Sequence, residues 1–245
     1  MSDAQVLTTA LVAARFFGGN LGLGQRYMEQ HWRQSKLDKS GFTRQLHALT
    51  ATLLALFATC GQVLKDLHTQ ARYVIDSFPV AVCQNIRIPR CKLLTGKAYR
   101  GRSASKRQWF YGFKVQVLTT RDGRPVEFYI HAGSEADITG LQAMNLDLPA
   151  GSTLYTGAAY TDYALEDLFA EATGGQQQTA RRANSKRPHT PAQRFLIQYF
   201  RKGIETTFSQ LTARFPKLIH AVTAAGFVLE LALFIFVHTL DQVGY

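Results

Sequence analysis

The chain has 245 residues, 46% of them hydrophobic and 11% aromatic, a composition that supports a real core and excludes a disordered polymer. Lys and Arg total 28 against 17 Asp and Glu, a formal charge of +11, so the surface attracts polyanions. The cysteines are Cys60, Cys83 and Cys91; with no CxxC pair they exclude a disulfide framework or zinc ribbon and fit a reducing cytoplasm.

Residues 3–70 read as helices. Ala4–Phe16 is mostly apolar, Gly18-Gly19-Asn20 breaks it, and Leu21–Trp32 resumes. The glycines from Gly19 to Gly24 do not form a phosphate loop, because no strand precedes them. Ser35–Ser40 is a polar loop, and Gly41–Leu67 carries Leu46, Leu49, Leu53, Phe57 and Leu64 near helical spacing. The pattern changes at Arg72. Tyr73-Val74-Ile75-Asp76 is a short strand ending in an acid, and residues 86–108 are basic and irregular. Phe110–Thr120 and Val126–His131 flank Asp122-Gly123 and predict a β-hairpin.

Ser134 and Asp137 form a capping box for a helix to about Asn145, and Thr153–Thr156 is a further short strand. Thr161-Asp162 caps a helix to about Ala172, which Gly174-Gly175 ends. Residues 176–190 are a polar, basic loop, and Pro191 suits the first turn of a long helix to about Arg214. Phe227–Leu240 contains Glu230 and His238 and reads as a buried terminal helix or strand–helix element, too short to span a bilayer. The order predicts an α/β (α+β) mixed sheet flanked by helices, residues 71–245, after an N-terminal helical region, residues 1–70.

The positive charge is concentrated. Arg87–Arg124 holds eleven basic residues and one acid, Asp122; Arg181–Lys217 holds nine and one acid, Glu205. Two such regions favour a nucleic-acid track. Trp109, Phe110 and Tyr111 read as strand packing rather than as a base-stacking platform. Two acids stand out by placement. Asp76 ends a strand, and Glu205 lies on the long basic helix, sharing a face with Arg201 four residues earlier.

The local sequences around these acids carry a resemblance. Ile75-Asp76-Ser77-Phe78-Pro79-Val80 with Cys83-Gln84-Asn85-Ile86-Arg87-Ile88, and Tyr99-Arg100-Gly101 through Lys106-Arg107 to Trp109–Lys114, form its first half. Asp147-Leu148-Pro149 to Tyr155 with Ala159–Tyr163, Tyr199–Thr206, and Ile219–Thr223 with Gly226-Phe227 form its second. Together they resemble the DDE insertion-sequence transposases, in particular the insertion-sequence family numbered nine-eighty-two, from about Leu11 onward.

That resemblance implies a ribonuclease H-like catalytic fold in which three carboxylates hold two Mg²⁺ ions, with Mn²⁺ as a substitute. It implies Asp76 and Glu205 as catalytic and metal-binding residues. It also implies double-stranded DNA as substrate (terminal inverted repeats and target DNA), a homo-oligomer on that DNA, no membrane, and a bacterial cytoplasm. Arg100, Arg102, Lys106, Arg107, Lys114, Arg181, Arg182, Lys186, Arg187, Arg201 and Lys202 are the candidate DNA contacts. The second acid belongs in a segment of the form Tyr-x-Asp-Lys-x-Tyr, where this chain reads Tyr155-Thr156-Gly157-Ala158-Ala159-Tyr160. A metal ligand is therefore expected to be missing at Gly157. Asp162 is expected to cap the next helix rather than replace it.

Overall fold

The computed structural model describes residues 1–33, 37–103 and 107–244. The chain divides into two compact units, residues 1–59 with 209–245, and residues 60–208.

In the first unit α1 (Asp3–Phe16) opens on a capping box, in which Ser2 Oγ accepts from the Gln5 N–H and the Gln5 side chain accepts from the Ser2 N–H. Asn20 caps α2 (Leu21–Trp32). The single helix expected over Gly41–Leu67 is two, α3 (Lys39–Ala48) and α4 (Thr50–Leu67), bent by 53° around Leu49. The apolar periodicity runs through the break, so it hides the bend. At the break the Thr50 hydroxyl turns back on the His47 carbonyl and competes with the helical ladder.

Thr223 caps α8 (Ala224–Val243), which is helical throughout. At 20 residues it is long and apolar enough to cross a membrane, so the expectation that this segment is too short does not hold. Its run Leu231–Thr239 is buried, α1 packs against it, and Phe236 meets Phe57 edge-on with ring centroids 5.5 Å apart. The chain's C-terminal end therefore shares a unit with its N-terminal helices.

The second unit is built on one six-stranded sheet. Its strands are β1 (Arg72–Cys83), β2 (Arg100–Ser103), β3 (Gln108–Thr120), β4 (Pro125–Ala132), β5 (Thr153–Thr156) and β6 (Gln176–Thr179). They lie in the order β2-β3-β1-β5-β6, with β4 also paired to β3. β3 is antiparallel to β1, whereas β5 is parallel to both β1 and β6. Helices α5 (Asp137–Ala143), α6 (Tyr163–Thr173) and α7 (Pro191–Ala213) flank this sheet. It is the mixed α/β architecture expected, consistent with a ribonuclease H-like fold. On α7, Ile197, Phe200 and Ile204 are buried with Val74 of β1 and Tyr155 of β5, which fixes the helix across the sheet.

Four local readings change. The first strand does not end at Asp76 but runs on to Cys83; beyond Ile75 its second edge has no paired strand among the described residues, the setting in which Pro79 is tolerated. β2 lies within the stretch read as irregular. β6 lies within the stretch read as loop: Gln176-Gln177-Gln178-Thr179 has no apolar alternation, and its pairing with β5 is what makes it a strand. The capping box at Ser134 and Asp137 does not form. α5 begins after Ala136 without a side-chain cap and ends at Ala143, because the Asp137 carboxylate is engaged elsewhere.

Candidate active site

Along the parallel pair, Arg72 stands opposite Thr153 and Ile75 opposite Thr156. Asp76 follows Ile75 within β1, and Gly157 follows Thr156 just past the end of β5, so the two come directly after the last paired residues. Asp76 is half-buried. Its Oδ2 accepts from Arg201 Nη2 of α7 at 2.7 Å, and its Oδ1 accepts from the Ser77 N–H at 2.9 Å. Burial pushes its carboxyl above the ordinary range, Arg201 and the Ser77 N–H pull it back, and the nearby charge of Asp137 adds to the rise.

Gly157 is buried, with φ −75° and ψ 166°, a conformation open to any L-residue. A Cβ there would lie 3.0 Å from Arg201 Nη2 and 3.5 Å from Arg201 Cζ. The guanidinium thus fills the space a side chain at position 157 would enter.

Asp137, read from the sequence only as part of a helix cap, is a second acid at the site. Its Oδ1 accepts from Ser77 Oγ at 2.8 Å and from Lys114 Nζ at 3.1 Å, and Lys114 also donates to the Glu135 carbonyl at 2.7 Å. Tyr160, fully buried, has its hydroxyl pushed well up by burial and by Asp76 and Asp137. In the β1–β3 pairing Pro79 stands opposite Lys114, and Lys114 with Ser77 of β1 holds Asp137 at the start of α5.

The remaining expected residues separate into two groups. Glu205 is exposed on α7, one helical turn beyond Arg201, and has no ion-pair partner among the described residues. Arg100, Arg102, Arg107, Arg182, Lys186 and Lys202 are exposed. Lys106 lies outside the described residues. Lys114 and Arg201 are engaged by acids, as above. Arg181 forms a buried two-pronged pair with Glu166, and Arg187 pairs with Asp167 at the surface. Arg181 and Arg187 also approach the Tyr163 ring, 5.1 and 4.8 Å from its centroid, and so tie the 180–187 segment to α6. Asp162 caps α6 through the Ala164 and Leu165 N–H groups, as expected. Next to Gly157, a shallow cleft is lined by Thr161, Tyr163, Arg182, Asn184, Ser185 and Lys186. Of the three aromatics at the start of β3, Phe110 and Tyr111 are buried as strand packing requires, while Trp109 is 64% exposed.

A six-stranded mixed sheet flanked by helices, with an acid in its first strand met by an arginine of a crossing helix, is consistent with a ribonuclease H-like transposase domain. The chain belongs to the transposase DDE domain family, whose model matches residues 67–221. No curated protein and no solved structure matches it. The family acts on DNA and in general uses divalent metal ions. The residues present do not fit a metal centre of that kind. Asp76 is capped by Arg201, position 157 has no side-chain ligand, and no group of three His, Cys, Asp or Glu side chains able to hold a metal occurs among the described residues.

Proposed function

We propose that this chain descends from an insertion-sequence transposase of the nine-eighty-two-like group and still binds element-end DNA, while its strand cleavage and strand transfer are impaired. Asp76 and Glu205 stand for the first and third acids, and Gly157 for the lost second one. The observation that supports the reading is that Gly157 directly follows Thr156, the β5 residue opposite Ile75, while Asp76 directly follows Ile75, with Arg201 against both. An acid at that strand end would face Asp76; glycine leaves Asp76 with a guanidinium instead. Mg²⁺ or Mn²⁺ is the cofactor of the parental reaction, and without the second carboxylate its hold on the protein is lost.

DNA binding does not need that centre. The exposed residues Arg100, Arg102, Arg107, Arg182, Lys186 and Lys202 supply the phosphate contacts, with Lys106 beside them in sequence. The cleft after Gly157 offers Asn184 as a neutral donor beside Arg182 and Lys186. The working form is a homo-oligomer on double-stranded DNA with terminal inverted repeats, in a bacterial cytoplasm.

The test is Mg²⁺- or Mn²⁺-dependent nicking of element-end DNA, with Gly157→Asp and Glu205→Gln run beside the parent chain. Binding without nicking by the parent, and nicking restored by Gly157→Asp, support the proposal. Nicking by the parent that Glu205→Gln abolishes refutes the claim of impairment. Failure to bind element ends refutes the DNA-binding claim.

A further inference from the structure

The acids near Gly157 are not waiting for a cation, because each already has one. Asp76 takes Arg201 at 2.7 Å and Asp137 takes Lys114 at 3.1 Å, with Ser77 joining the two acids through its N–H and its hydroxyl. The two positive groups come from different elements, α7 and β3, and both are tethered to the same chain. Arg201 Nη2 lies 3.0 Å from where a Cβ of residue 157 would be, so it occupies the space between Asp76 of β1 and the end of β5. Its Nε is buried with no acceptor among the described residues.

We propose that Arg201 is a built-in replacement for the divalent ion, holding Asp76 in a charge-balanced site closed to metal. The inference rests on the family reading for where the ion would belong, and otherwise on this geometry. A guanidinium suits the role: it keeps its charge at every working pH, is weakly hydrated, and meets a carboxylate in a planar fork. Mg²⁺ gives up water reluctantly and wants several oxygen ligands. To enter, it would have to displace a tethered cation from Asp76 while gaining nothing from position 157. The same arrangement explains how the site keeps its form without a second acid. Lys114 and Arg201 are then positioning groups of the acid cluster and not phosphate contacts.

The test is direct binding of Mn²⁺, read by electron paramagnetic resonance of the free ion, with the full chain and no DNA. The chains compared are the parent, Asp76→Asn, Arg201→Gln, Arg201→Lys and Gly157→Asp/Arg201→Gln, each checked for folding by circular dichroism. The parent and Asp76→Asn are expected to show the same weak, nonspecific uptake at millimolar Mn²⁺, and Arg201→Lys is expected to match them. Arg201→Gln, more strongly in the Gly157→Asp background, is expected to gain about tenfold or more in affinity. Parent binding that Asp76→Asn removes overturns the proposal. So does a folded Gly157→Asp/Arg201→Gln chain that gains no binding. If the Arg201 variants do not fold, the parent against Asp76→Asn still decides. Loss of element-end DNA binding, measured separately, bears on the proposed function and leaves this inference standing.

Discussion

The guanidinium of Arg201 donates to Asp76 at 2.7 Å and lies 3.0 Å from where a Cβ of Gly157 would be. The Asp76 carboxylate is a charge in a half-buried place. The helix that crosses the sheet answers it with an arginine, and the consequences can be measured.

Gly157→Asp is expected to fold. The backbone at 157 is open to any residue, and the closest obstacle is the far end of the flexible Arg201 side chain, which needs to move only a few tenths of an ångström. The new carboxylate gains a guanidinium partner as it arrives. The expected change in stability is within about 1 kcal/mol of the parent by denaturant unfolding. A loss well beyond that would mean that Arg201 cannot yield.

Arg181 and its neighbours are expected to fail in different ways. Arg181 and Glu166 are 7% and 6% exposed, so removing one leaves a buried charge alone, and Glu166→Ala is expected to cost about 3–5 kcal/mol of stability. Arg182→Ala with Lys186→Ala should leave the unfolding transition in place. If both contact phosphates, the slope of log affinity against log salt falls by about 2 on duplex DNA. An unchanged slope removes both from the DNA interface.

Glu230 gives the first unit a pH dependence. Burial pushes its carboxyl from an ordinary value of 4.5 up to about 7. Its folded form therefore holds a proton that the unfolded chain has released, and stability falls as pH rises from about 4.5 to 7. Because the group is partly exposed, solvent screening limits the effect to about 1–2 kcal/mol. Glu230→Gln is expected to raise the melting temperature above pH 7 and to flatten its fall across that window. Equal slopes for the parent and the variant would contradict this.

His238 acts in the opposite sense. Burial, with Arg214 nearby, lowers its pKa to about 4, and its Nδ1 accepts from Arg214 Nε at 3.3 Å, as a neutral ring must. The unfolded chain takes up a proton near 6.5 that the folded chain refuses, so stability falls as pH drops from about 6.5 to 4. An imidazole NMR titration is expected to show His238 neutral at pH 5.5, between those two values.

Gly19→Ala is expected to destabilise by about 1–3 kcal/mol. Gly19 has φ +82°, and an added methyl would meet the Glu230 carboxylate and the Phe234 ring. Unfolding in denaturant reads this directly, and a neutral result would show that the turn between α1 and α2 relaxes freely.

The sequence by itself determined the elements whose signals are local. Asp122-Gly123 set the β3–β4 hairpin, Asp162 and Gly174 bounded α6, and Pro191 opened α7, because turns and caps are decided by the residues within them. Tertiary structure alone decided the rest. β6 is a strand only because β5 offers it a ladder, and β1 runs through Pro79 because β3 holds its other edge. Asp137 joins the site, and Lys114, Arg181 and Arg201 leave the pool of exposed cations, because a charge's partner is fixed by packing between elements far apart in sequence. A basic residue read from sequence is only a charge; whether it meets a phosphate or a buried carboxylate depends on which surface the fold turns toward it.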